Sequence, residues 1–117
     1  MTIIDTPRLR FYVEEMGVGA PVLFINGTGG DLRVKPSVMD GPLPSHRHVI
    51  AYDQRGLGQT EKPEGPYTMA DYGDDAAALL TTMGHDQVGI VGVSFGGMVA
   101  QHLAIRYPNR INKLVLC

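Results

Sequence analysis

Short apolar runs alternate along the chain with longer stretches of helical spacing. Arg8–Glu14 alternates, with Leu9, Phe11 and Val13 on one face, and predicts a half-exposed strand near a sheet edge. Gly17, Gly19 and Pro21 supply the turn after it. Val22–Ile25, Val49–Tyr52, Gln87–Val93 and Lys113–Leu116 are continuous apolar runs, the pattern of strands covered on both faces. Thr2–Ile4 predicts a short first strand. Met69, Tyr72, Ala76, Leu79, Leu80 and Met83 recur at helical spacing. Thr68 is placed to cap that helix, Asp71 to complete a capping box, and Gly84 to end it. Phe95–Tyr107 predicts a second helix, stopped by Pro108. Lys35–Ser45 predicts a weak, irregular one.

Strand–helix–strand repeats imply an α/β fold: a mostly parallel sheet with helices on both faces. Ligands of such sheets bind beyond the carboxyl ends of the strands. The informative residues are therefore Asn26–Gly30, Asp53–Gly58 and Ser94–Gly97.

Composition narrows the function classes. A chain of 117 residues, 44% hydrophobic and 19% charged, suits one domain. A net charge of −2 gives no reason to expect nucleic acid or an acidic membrane as partner. Cys117 is the one cysteine, so no internal disulfide forms and a reducing, cytoplasmic setting is expected. Met1–Tyr12 does not read as a signal peptide. No apolar run approaches the roughly 20 residues of a membrane span.

Gly92-Val93-Ser94-Phe95-Gly96-Gly97 has the G-x-S-x-G pattern, with a predicted strand before it and a predicted helix after. A serine on so sharp a turn is presented with its hydroxyl exposed, and the helix N-terminus favours negative charge beside it. Gly92 and Gly96 remove side chains that would collide, and Gly97 lets the helix pack on the strand. Ser94 is thus the candidate nucleophile. Acyl transfer also needs two N–H donors for the oxyanion. Phe95 is the candidate for one. The loop Asn26-Gly27-Thr28-Gly29-Gly30 is the candidate source of the other, from Thr28 or, next, Gly29.

With these residues in place the sequence resembles the α/β-hydrolase superfamily, in its esterase and 3-oxoadipate enol-lactonase-like branch. Asn26–Gly30 is similar to that family's His-Gly-x-Gly-Gly loop, with asparagine at the histidine position. Asp53-Gln54-Arg55-Gly56-Leu57-Gly58 is similar to its D-x-R-G-x-G turn, and Gly92–Gly97 to its elbow. The resemblance runs from about Arg8 to Cys117. It implies Ser94 as nucleophile and backbone N–H donors at Phe95 and Thr28. It makes Asp53 and Arg55 mainly structural.

The family's triad runs Ser, then Asp or Glu, then His. The resemblance therefore implies that residues 1–117 form a single N-terminal portion of the domain, truncated after about the sixth strand. Lid, catalytic acid and histidine are expected to be missing. No histidine present is placed to substitute. His85 lies at the far end of the strand that leads to Ser94, roughly 25–30 Å away. His46 and His48 precede the strand that ends near Asp53. His102 lies about 12 Å along the helix and is expected on a solvated stripe with Arg106. The His46-x-His48 pair is expected to lack a third ligand, and no metal or cofactor is assigned.

The favoured function is a serine hydrolase of small-molecule carboxylic esters or lactones, working through an acyl-enzyme at Ser94 when complete. As an isolated chain it is expected to be inactive or nearly so. A ligand-binding or interaction module without turnover is the alternative. The exposed edge at Ile111–Cys117 is expected to pair with a complementing chain or with a second copy.

Overall fold

The computed structural model describes residues 2–117. At one side of the sheet, β1 (Thr2–Asp5) pairs antiparallel with β2 (Arg10–Met16). β2 is also antiparallel to β4 (His48–Tyr52). Beyond it, β4, β3 (Pro21–Ile25), β5 (Val88–Gly92) and β6 (Ile111–Leu116) run parallel. The resulting six-stranded order is β1-β2-β4-β3-β5-β6.

The helices α1 (Met69–Thr82) and α2 (Phe95–Arg106) connect β4 to β5 and β5 to β6. α1 begins as the sequence predicts. The Thr68 hydroxyl accepts from Asp71 N–H while the Asp71 carboxylate accepts from Thr68 N–H. α2 starts directly at the predicted turn, with Ser94 as its N-cap.

Leu9, Phe11, Val13, Leu23, Ile50, Tyr52, Leu79, Leu80, Ile90, Val99 and Leu103 are buried together between the sheet and the two helices. A smaller cluster of Tyr12, Leu32, Met39, Val49 and Ala51 sits on the other face.

Three expectations need correction. β2 is not half-exposed in its middle: Tyr12 is 4% exposed, because Leu32 and Met39 fold over the face that alternation left to solvent. Its place near a sheet edge holds, with only β1 outside it. The segment Lys35–Ser45 forms two separate 3₁₀ turns, Val38–Asp40 and Leu43–Ser45. Pro36, Pro42 and Pro44 withhold the N–H groups a continuous helix would use. Finally, β6 is apolar but not covered on both faces. Leu114, Val115 and Leu116 are 40%, 51% and 48% exposed. α2 lies against one face of it, where Leu116 approaches Gly97. Val115 lines an open cavity of about 780 Å³ with Val22, Ile90 and Val91.

Candidate active site

β5 delivers the chain to Ser94, where it reverses into α2. Ser94 has φ +55° and ψ −118°, and it is the one non-glycine residue with positive φ among those described. Such a conformation is costly for an L-residue and persists only where the surroundings enforce it. Here the surroundings are backbone. A Cβ on Gly96 would lie 2.1 Å from Ile25 O and 2.4 Å from Asn26 O. One on Gly92 would lie 2.5 Å from Gly96 O and 2.8 Å from Gly97 Cα. Both positions exclude any side chain, as the sequence predicts. Gly97 is less constrained, with its closest approach at 3.4 Å.

The turn is tied from both sides. Val93 N–H donates to Ile25 O on β3 at 3.1 Å. Ser94 N–H donates to Cys117 O, and Cys117 N–H to Gly92 O, each at 2.9 Å. The Ser94 side chain is exposed and does not cap its own helix, so its hydroxyl is free to meet a ligand.

The loop after β3 comes close to this serine. A Cβ on Gly27 would be 3.5 Å from Ser94 Cβ. Asn26 Oδ1 accepts from Gly27 N–H at 2.9 Å, and Gly30 N–H donates to Gly27 O at 3.0 Å. The side chain of Asn26 therefore fills the space beside Gly30, where a Cβ would clash at 2.6 Å. Gly29 takes φ +71° at the tip. Among the described residues, the N–H groups of Thr28, Gly29 and Phe95 donate to no protein acceptor. Thr28, Gly29 and Phe95 line one cavity of about 330 Å³ together with Arg55, Leu57, Lys62, Tyr67 and Tyr72. A larger cavity on the open sheet face, beside β6, is lined by neither Ser94 nor the loop after β3.

The loop after β4 braces the floor. Asp53 Oδ1 accepts from Leu32 N–H at 2.8 Å and Oδ2 from Gln59 N–H at 3.0 Å. Burial pushes the Asp53 carboxyl above its ordinary value, against those two donors. Arg55 forms a buried two-point pair with Asp75 of α1, at 2.6 and 2.9 Å. The Asp75 hydrogen bond raises the Arg55 guanidinium further, so it stays charged. Arg55 also lies 5.0 Å from the centre of the Tyr67 ring. Asp53 and Arg55 thus hold loops in place. Sequence reasoning missed Asp75, whose signal was a single acid on the otherwise apolar stripe of α1. It also missed Gln54, whose Nε2 donates to Asn26 O at 3.0 Å.

None of the four histidines hydrogen-bonds to Ser94. His46 lines the cavity on the open sheet face. His102 is half-buried against Gly73 of α1, and its neighbour Arg106 pairs with Asp74 at 2.9 Å. That face of α2 packs on α1, correcting the expected solvated stripe. Among the described residues, His48 gathers other metal-ligating side chains without His46. Glu15 and His85 join it, with one ligand atom of each within 4.8 Å of the others. His46 is not part of that group.

The family model for the alpha/beta hydrolase fold matches residues 20–117. This chain belongs to the alpha/beta hydrolase family. It is 38% identical over 115 residues to a 2-hydroxymuconate semialdehyde hydrolase of Pseudomonas putida, covering 92% of this chain and 39% of that one. A hydrolase structure from Pseudomonas aeruginosa superposes with a TM-score of 0.89 at 31% identity, covering 98% of this chain and 44% of that one. The enol-lactonase of Burkholderia xenovorans superposes at 0.86 and 28% identity, covering 97% and 45%. The chain spans less than half the length of each of these relatives. Among the described residues no helix is long and apolar enough to cross a membrane.

Proposed function

We propose that Ser94 is the nucleophile of a serine hydrolase acting on small-molecule carboxylic esters or lactones. The observation that carries the reading is the strained, exposed serine beside unpaired amides on two loops. In the proposed reaction Oγ attacks the carbonyl carbon, and the carbonyl oxygen gathers negative charge. Phe95 N–H and Thr28 N–H stabilise that oxyanion. Collapse breaks the acyl C–O bond. The proton that Oγ lost ends on the departing oxygen, which leaves as an alcohol or, for a lactone, stays on the acyl chain as its hydroxyl. Water then hydrolyses the acyl-Ser94 ester. The cavity walls of Tyr67, Tyr72 and Phe95 suit an apolar acyl or alcohol portion. The kinship with an enol-lactonase structure supports the lactone side of this reading.

A serine without a base is a weak nucleophile. Since no described histidine bonds to Ser94, residues 2–117 alone are proposed to turn over esters slowly or not at all. That same observation favours a second reading, a binding or interaction module without turnover. Prolonged incubation with a fluorophosphonate, followed by peptide mass spectrometry, separates the two. Slow modification of Ser94 that free imidazole accelerates, and that Ser94→Ala abolishes, is expected for the nucleophile. No modification at Ser94 under any condition leaves only the binding role.

We also propose that another strand, from a complementing chain or a second copy, pairs along Ile111–Cys117. The support is an apolar strand last in the sheet order with its outer edge open. Light scattering that shows a monomer at every concentration, without a partner, would count against it.

A further inference from the structure

The end of the sheet opposite Ser94 gathers three metal-binding side chains from three separate elements. Strand register explains two of them. Glu15 stands opposite Ile50 in the antiparallel β2–β4 ladder. Side chains alternate along a strand, so Phe11, Val13 and Glu15 share one face with His48, Ile50 and Tyr52. Four of these six fill the main core, and Glu15 and His48 emerge where that core ends. The third, His85, comes from the turn between α1 and β5. Its backbone is fixed at both poles: His85 N–H donates to Leu80 O at 2.9 Å, and His85 O accepts from Arg110 at 2.7 Å. The ring is therefore the part of His85 left to bind.

His48 Nε2 lies 2.8 Å from Glu15 Oε1. The His48 and His85 rings have centroids 5.7 Å apart and are tilted by 55°. One donor atom from each residue falls within 4.8 Å of the other two. Donors around a tetrahedral Zn²⁺ at about 2.0–2.1 Å sit roughly 3.3 Å apart. Glu15 is exposed and His48 and His85 are half-buried, so their side chains have room to turn toward a shared ion.

We propose that Glu15, His48 and His85 form a binding site for a divalent transition metal of the zinc type. Two imidazole nitrogens and one carboxylate oxygen are the donors such ions take, whereas Mg²⁺ and Ca²⁺ prefer oxygen throughout. The ion replaces the Glu15–His48 hydrogen bond, each imidazole binds as the neutral ring, and water completes the coordination. The site has no part in chemistry at Ser94. It clamps the end of β2, the start of β4 and the α1–β5 turn, three points far apart in the chain. An ion bound to the folded form alone stabilises that form.

The test uses the chain carrying Cys117→Ser, so that the lone thiol does not bind metal, after chelator treatment. Calorimetry with Zn²⁺ is expected to show one ion per chain, and the unfolding temperature is expected to rise with Zn²⁺ but not with Mg²⁺. Co²⁺ is expected to give visible d–d absorption. His48→Asn, His85→Asn and Glu15→Gln should each weaken binding by more than the roughly 10–100-fold that loss of an outer partner costs. His46→Asn should leave it unchanged. Circular dichroism confirms that each variant is folded. Absence of binding by the parent chain overturns the proposal. So does binding that survives His48→Asn and His85→Asn, or that follows His46 instead.

Discussion

Ser94 keeps a φ of +55° because the backbone around it leaves no other path. The glycines at 92 and 96 are the means. Gly96→Ala would drive a methyl into Ile25 O, a carbonyl already held by Val93 N–H. Overpacking of this kind costs about 1–3 kcal/mol or more, read as a lower urea midpoint. Gly97→Ala, with its closest approach at 3.4 Å, is expected to cost much less in the same assay. Asp75 is the other decisive residue. Its side chain is 2% exposed and binds both Arg55 and Arg8. Asp75→Ala leaves the Arg55 charge buried and unpaired, at a cost of about 3–5 kcal/mol. At this scale the elbow was legible because its signal is local, glycines on either side of a serine, even though Gly96 answers to Ile25 and Asn26 far away in the chain. The Arg55–Asp75 pair was not, since nothing in a linear pattern says which acid a distant arginine will meet.

The helices show where periodicity suffices. α1 carries its start signal in Thr68 and Asp71, and both hydrogen bonds of the predicted box are present. Thr68→Ala is expected to cost about 1 kcal/mol, measured by thermal or urea unfolding. α1 is held to α2 through Asp74, which accepts from Arg106 and from the Tyr107 hydroxyl. The Arg106 hydrogen bond first, and that of Tyr107 after it, hold the Asp74 carboxyl below its ordinary value of 3.8. The Thr68 N–H and hydroxyl do the same for Asp71. A lowered folded value means stability that is complete above the unfolded value and lost as pH falls through the folded one. Acid titration from pH 5 downward should therefore loosen this helix pair, and Asp74→Asn should flatten that dependence. Lys35–Ser45 was misread as one helix because its apolar spacing is weak and prolines divide it. β6 was misread as doubly covered because an apolar run reports what a strand could bury, not what lies over it.

Across the whole molecule, the sheet separates two chemistries. One end carries the free serine and the unpaired amides, the other the imidazole–carboxylate cluster. The alternating pattern announced a parallel core, and four strands obey it. It did not announce that β4 lies between β2 and β3, which is what brings Glu15 to His48. Sheet order also leaves β6 at the rim with Val115 half-exposed. Val115→Lys places a charge on that apolar face. It should reduce any self-association seen by light scattering while leaving the circular dichroism unchanged.

The two hydrogen bonds between Cys117 and the elbow have a practical side. The chain's only sulfhydryl is exposed and sits one backbone contact from Ser94. A maleimide dye coupled there needs no engineered attachment point. Its emission would register both acylation of the neighbouring hydroxyl and the arrival of another strand beside the rim.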